Sequence, residues 1–361
     1  SCAPITAPTP VPTPLPAVAT ALPAAPVLAP QEADWQKVVE AAKKEGKLTF
    51  YASSSFSPVH QPVIEAFEKR YGIKVDVLGG RGAEWLERLK TEKRMGQIVG
   101  DITEGSSAHT ESMRLAGLLA SSPDLPVFRD LGAWIHEPWY LDSERKYFAY
   151  VLTTIGPHIN TKLVSPAEAA ELRSWHDFLD PKWRGKMAIA DPMLSVSSNY
   201  FVIQLRLGLL DEKFLQALGQ QKLRYTTSPT EVARDSATGE VAVGLTASTS
   251  STPAFVAQGA PLKLLAMKEG IWFDSLVIAG IDKSPHPNTT KVFLNWVFSE
   301  EGQTLMSQAY LASPIRKGVT NYTPEPLRVE SKNPLWITAE RNEWISEAFR
   351  EKGLVPFLKP K

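Results

Sequence analysis

Hydroxyl side chains gather where apolar runs of this chain end. Ser53, Ser54 and Ser55 follow Leu48-Thr49-Phe50-Tyr51-Ala52, and Ser106 follows Ile102-Thr103-Glu104-Gly105. Ser195, Ser197 and Ser198 stand just beyond Ile189-Ala190-Asp191, and Thr246 and Ser248 beyond Val241-Ala242-Val243-Gly244-Leu245. Such hydroxyls can hydrogen-bond a polar solute without ionising. Where a helix starts beside them, its free backbone amides and its dipole favour an anion, although plain capping needs only one hydroxyl. Arg81, set between Gly80 and Gly82, offers a guanidinium that can grip two oxygens at once, with flanking glycines that let a ligand approach the backbone. The competing reading of Arg81 is a surface turn arginine. Glu104, Asp191 and Asp274 are the acidic candidates. Asp274 either accepts a hydrogen bond from an amino or hydroxyl group of the ligand or satisfies the backbone at a hinge, and Asp191 is ambiguous in the same way.

The elements that must position these residues follow from periodicity. Trp35, Val38, Val39 and Ala42 make a first helix. A strand then leads into Ser53, Val63, Ile64, Phe67 and Tyr71 fall at helical spacing, and Ile73, Val75 and Val77 alternate as a strand that ends in Gly79-Gly80-Arg81-Gly82. Strand, polar turn, helix, strand, glycine turn is the opening of an open α/β sheet, in which ligands sit outside the carboxyl ends of the strands. Residues 98–103 read as a third strand ending in Glu104-Gly105-Ser106-Ser107. The run from Tyr147 to Leu152 reads as a crossing into a second lobe. There the spacing predicts a strand after Trp183-Arg184-Gly185, a helix over 200–210, a strand over 239–246, a returning strand over 275–281 and a helix over 291–299. Whether Trp85, Trp139 or Trp272 reaches a cleft to stack an aromatic ligand stays open.

Composition bounds the class. At 361 residues the chain exceeds one comfortable core, which suggests two lobes: 33–150 with 274–318, and 151–273 with 319–361. Lys plus Arg number 39 and Asp plus Glu number 39, so no basic field recruits nucleic acid. The longest apolar runs fall short of the roughly 20 residues that cross a bilayer. The six histidines show no metal-ligand spacing, no Gly-x-Ser-x-Gly elbow is present, and the single cysteine is Cys2, which argues against a zinc site, an esterase and a cysteine enzyme.

Residues 1–32 differ from the rest, being rich in Pro, Ala, Thr and Val and uncharged before Glu32. They read as an extended tether outside any core. Ser1-Cys2 ahead of this spacer resembles the cleavage site of bacterial lipoproteins, where a signal peptide is removed and the cysteine carries the lipid. A terminal scar beside a disordered leader is the alternative.

Taken in order, several segments resemble extracellular solute-binding proteins of bacterial ABC importers, in the branch that includes the ferric-ion-binding proteins. They are Leu48-Thr49-Phe50-Tyr51, Ile73-Lys74-Val75, the Gly-Arg turn, Asp180-Pro181-Lys182-Trp183-Arg184-Gly185-Lys186, Gly239-Glu240-Val241 and the run from Val292 to Gln303. The resemblance spans roughly residues 33–316. It implies a two-lobed periplasmic-binding-protein fold of type II, with a ligand cleft between α/β lobes joined by crossing strands. It implies a monomer without cofactor outside the cytoplasmic membrane, tethered through Cys2, whose partners are an ABC permease, its ATPase subunit and a small solute. The positions that correspond to the ferric ligands are Ser55, Ala83, Thr249 and Ser250, none of which supplies a phenolate or an imidazole. Tyr200, the one phenol nearby, reads as core. The set that remains fits a small organic anion such as a phosphonate, a phosphorylated metabolite or a carboxylate. Ferric binding through other ligands and the sensing of a ligand for a membrane receptor are the competing functions.

Overall fold

A computed structural model of the chain describes residues 32–53, 60–122, 125–135 and 144–359. Cys2, Ser54, Ser55 and Trp139 lie outside the described residues. The strands are β1 (Lys47–Ser53), β2 (Lys74–Gly80), β3 (Ile102–Ser106), β4 (Phe148–Asn160), β5 (Met187–Ala190), β6 (Arg224–Thr226), β7 (Val243–Ser248), β8 (Leu262–Leu264), β9 (Trp272–Gly280), β10 (Ser313–Pro314) and β11 (Leu335–Trp336). The helices are α1 (Glu32–Glu45), α2 (Gln61–Tyr71), α3 (Gly82–Met95), α4 (Ser107–Leu115), α5 (Pro166–Glu171), α6 (Phe201–Arg206), α7 (Glu212–Gly219), α8 (Pro229–Thr238), α9 (Thr252–Ala257), α10 (Pro287–Val297), α11 (Glu300–Tyr310), α12 (Ala339–Arg350) and α13 (Val355–Leu358).

Among the described residues the strands form one sheet, ordered β2-β1-β3-β9-β4-β7-β5-β6. β1, β2 and β3 run parallel at one end and β5, β6 and β7 run parallel at the other. Between them β4 and β9 pair antiparallel, and each passes through two cores. The first core holds Phe148 to Leu152 of β4 and Leu276 to Ala279 of β9, with Phe50, Phe67, Phe293 and Trp296. The second holds Ile155 and Ile159 of β4 and Trp272 of β9, with Trp175, Phe201, Phe214 and Ile345. The chain crosses a third time after β10, which pairs with Val151 and Leu152 of β4, and reaches β11 beside Trp272 and Phe273.

Local chemistry explains the boundaries. α2 buries Val63, Ile64 and Phe67, begins with a proline in its first turn, and stops at Gly72, whose φ of +70° is left-handed. The third strand starts at Ile102 rather than at residue 98. The Asp101 N–H donates to the Thr49 carbonyl at 2.9 Å, while the Thr49 N–H turns to the Asp101 carboxylate at 2.6 Å in place of a backbone carbonyl, and the paired register starts at Phe50 and Ile102. β7 likewise starts at Val243, because Gly239 (φ +85°) is consumed in ending α8. The segment predicted as one helix over 200–210 divides into a 3-10 turn, Val196–Tyr200, followed by α6, and the chain turns at Gly208 (φ +66°). The predicted helix over 291–299 is the C-terminal part of α10, and α11 follows it directly.

Candidate functional site

The sheet register brings the carboxyl ends of two opposed strand sets together. Ser106, the end of β3, pairs with Leu276 of β9. Ser248, the end of β7, pairs with Ile155, which in turn pairs with Trp272 of β9. The two ends therefore stop four residues apart along β9, about 13 Å at a strand rise of about 3.3 Å per residue. Thr153 and Thr154 of β4 and Phe273, Asp274 and Ser275 of β9 floor the gap. Helix starts face it from both sides. α4 begins at Ser107 after the Ser106 cap, and the 3-10 turn Val196–Tyr200 begins after the Ser195 cap.

On the first side, Ser53 ends β1 opposite Gly80 of β2. Arg81 is exposed at the start of α3, where its backbone N–H donates to the Glu84 carboxylate at 2.9 Å. The glycines beside it have a different purpose from the one predicted. A Cβ on Gly80 would lie 2.4 Å from the Trp85 ring, and one on Gly82 would lie 2.7 Å from the His109 ring. The space is taken by side chains of the protein. Trp85 stacks on Tyr51 at 4.6 Å and donates to the Ala52 carbonyl, so it is a buried wall of the first core and no platform for a ligand. Ser106 is half-buried, and its hydroxyl lies 2.9 Å from His109 Nδ1. Glu104 requires a correction. Its side chain is buried and accepts from the Tyr150 hydroxyl at 2.7 Å, which in turn lies 3.0 Å from Tyr310; the Tyr310 hydroxyl is 2.8 Å from His60 Nε2. Burial, with Glu104 nearby, holds the Tyr150 phenol well above its ordinary pKa, so its hydroxyl remains a donor within this internal network.

On the second side the hydroxyls are largely engaged within the loops that carry them. Ser195 Oγ and Ser197 Oγ are 3.0 Å apart, Ser198 donates to the Ala190 carbonyl, and Ser248 Oγ is 2.9 Å from Ser250 Oγ. Thr246, proposed as a ligand contact, is fully buried and accepts the Ala190 N–H at 3.0 Å, a clamp between β7 and β5. Asp191 is also corrected. Its carboxylate takes the Met193 N–H at 2.9 Å and the Lys359 ammonium at 2.5 Å, so the C-terminal segment neutralises it. Nothing in the spacing of residues 191 and 359 signals that ion pair. Trp272 is wholly buried in the second core.

Asp274 lies where β9 crosses between the cores. It accepts from the Ser275 N–H at 2.7 Å, a backbone group of the crossing strand, and also from Ser107 Oγ at 2.9 Å and the Tyr200 hydroxyl at 2.7 Å. Burial raises its pKa, and these three bonds oppose the rise. Oδ1 takes two of these bonds and Oδ2 one, so the protein already engages most of the acceptor capacity that a ligand would need. Tyr200 is buried as predicted for a core residue, yet its hydroxyl has this specific partner.

A family model described as bacterial extracellular solute-binding protein matches residues 48–310. An uncharacterized protein of Haemophilus influenzae is 24% identical over 271 residues, covering 73% of this chain and 76% of that protein. Two solved structures share the fold. Iron-bound HitA from Pseudomonas aeruginosa has a TM-score of 0.69 at 19% identity and covers 85% of this chain and 99% of its own. The periplasmic binding protein AfuA from Actinobacillus pleuropneumoniae, with exogenous fructose-6-phosphate bound, has a TM-score of 0.67 at 19% identity and covers 88% of this chain and 99% of its own.

Proposed function

The chain belongs to the bacterial extracellular solute-binding protein family, the substrate-binding subunits of ABC transporters, and from that premise we propose that its interlobe gap captures a small organic anion. Phosphonates, phosphorylated metabolites and carboxylates are the classes meant. The observation that carries this reading is the meeting of two strand sets across β4 and β9, with helix starts and hydroxyls on both sides and the nearby Asp191 already neutralised by Lys359. Free amides at helix starts and neutral hydroxyls favour anionic oxygens over cations. The sugar phosphate bound by AfuA, a protein of the same fold, is compatible with it.

The lobes would be 33–150 with 274–318 and 151–273 with 319–361, which open and close about β4, β9 and the third crossing. The closed form would dock on a permease outside the cytoplasmic membrane, and the partner ATPase would drive release. The tether and a lipid on Cys2 would hold the protein at the membrane. Catalysis is not part of this role.

Native mass spectrometry of gently purified protein, compared with the denatured chain, tests the reading. The expected mass difference matches an organic acid or a phosphate ester; a difference matching iron overturns it. Calorimetry with fructose 6-phosphate and inorganic phosphate then tests Arg81. Arg81→Ala should weaken binding about 10- to 100-fold, because a charge-assisted bond contributes about 1.5–3 kcal/mol. Unchanged affinity would remove Arg81 from the site.

A further inference from the structure

Two side chains far apart in sequence, Ser107 and Tyr200, converge on the Asp274 carboxylate from different cores, and a third, Asn342, reaches Ser107. Ser107 opens α4, which packs on the first core through Met113. Tyr200 closes the 3-10 turn and belongs to the second core. Asn342 of α12 is buried, with Oδ1 3.4 Å from Ser107 Oγ. α12 is itself anchored to the second core. Ile345 is fully buried there, Trp344 lies 5.2 Å from the Arg206 guanidinium, and Arg206 also pairs with Glu347. The N-terminal half of α12 thus reaches from the second core to the first turn of α4.

We infer that Ser107, Tyr200 and Asn342 are positioning residues that set the separation of the two halves of the ligand gap, with α12 as a strap between them. The inference rests on the proposed reading only in treating that gap as the ligand site. Ser107 is the first residue of α4 and Tyr200 the last of the 196–200 turn, so the contacts that join them through Asp274 tie the start of α4 to the end of the turn that borders the other side of the gap. The joint consists of single hydrogen bonds from side chains whose backbones are held independently by their own cores. It can break without exposing apolar surface, whereas the strands β4 and β9 beneath it cannot. A two-lobed clamp needs contacts of this kind, whose making and breaking shifts the balance between arrangements without unfolding either lobe.

Distance measurement between spin labels tests this without any ligand. Labels at Lys90→Cys on α3 and Lys213→Cys on α7, both exposed positions, report the lobe separation in a Cys2→Ser background. Tyr200→Phe, Ser107→Ala and Asn342→Ala should each shift and broaden the distance distribution, while Ser107→Thr, which keeps the hydroxyl, should retain it. Melting temperatures should stay within about 2–4 °C of the parent, as expected for the loss of about 1 kcal/mol in a chain of this size. Unchanged distributions in all three deletions would overturn the inference. So would loss of cooperative melting in Tyr200→Phe or Ser107→Ala, because the contacts would then hold the fold and not the spacing. Fructose 6-phosphate titration of the same proteins separates the two readings. Altered distances with no binding by any variant or the parent leave the positioning role standing and remove fructose 6-phosphate as the solute.

Discussion

Two carboxylates are buried toward opposite ends of β9, and they are held differently. Asp101, at the base of the first lobe, accepts the Thr49 N–H at 2.6 Å, the His286 N–H at 3.0 Å, the Ser284 hydroxyl at 2.6 Å and lies 2.9 Å from His286 Nδ1. All of these partners flank the first core, and two are backbone amides that cannot rotate away. Asp274, at the crossing, accepts one amide from its own neighbour Ser275 and two side-chain hydroxyls, one from a helix on the first core and one from the second. The first arrangement ties β1 to the loop after β9 and stabilises a fold. The second joins elements of two different cores, and it does so through side-chain hydroxyls that can rotate away. Equal burial of a carboxylate thus says little about its purpose; what matters is whether its donors share one rigid body.

The widest gap between the two regions should appear in stability. Asp101→Ala leaves the buried Thr49 N–H without its acceptor and strips His286 and Ser284 of their shared partner, although the His286 N–H keeps Ser284 Oγ and the Ser284 hydroxyl keeps Thr290 Oγ1, each at 3.1 Å, and it should cost about 3–5 kcal/mol in denaturant unfolding. A loss below about 1 kcal/mol would erase the distinction between a lock and a joint.

Acid should sharpen the comparison through a third buried group. His158 lies in β4 on the second-core side, with Nδ1 3.0 Å from the Gly156 carbonyl and Nε2 3.3 Å from Thr252 Oγ1. Burial pushes its pKa down from 6.5 to about 4, against a smaller upward pull from the Gly156 carbonyl. The unfolded chain therefore takes up the proton first, and stability falls as pH drops from about 6.5 towards about 4, by roughly 3 kcal/mol in all. Asp274 acts in the opposite sense. Its folded pKa is raised, so its ionised form is the disfavoured one and protonation does not weaken the folded state. Unfolding at stepped pH should therefore show a loss that His158→Gln flattens and Asp274→Asn does not. A flat profile in the parent would remove the role given to His158.

Much of the fold was legible because it is local. The helical spacing of Val63, Ile64 and Phe67 and the alternation of Ile73, Val75 and Val77 need no distant partner to be read, and both became the elements their periods demand. The hydroxyl-rich strand ends were legible for the same reason. What those hydroxyls and carboxylates do was not, because each partner is set by tertiary contact. Asp191 meets Lys359 across 168 residues, and Asp274 meets Tyr200 across 74 and Ser107 across 167. The glycines around Arg81 mark a close approach, as their type suggests, but a sequence does not say whether a ligand or Trp85 and His109 will occupy the space. Asn342 gave no signal at all, being an ordinary polar residue on an amphipathic helix until α12 is packed against α4.

The smallest effect is the most discriminating. Tyr200→Phe removes one oxygen, keeps the ring that contacts Trp272 edge-on at 5.9 Å, and leaves the Ser107 and Ser275 donors on Asp274. The lost bond to a partly satisfied carboxylate should lower stability by about 1–2 kcal/mol. Burial and the neighbouring carboxylate hold the Tyr200 phenol well above its ordinary pKa, so the hydroxyl is a donor across pH 6 to 9 and the cost should not vary with its titration there. If Asp274 were a lock like Asp101, the loss would approach the several kcal/mol expected there, because its other donors could not re-form around the gap. If it is a joint, the two remaining donors close on the carboxylate as the lobes adjust, and the cost stays small while the lobe separation changes.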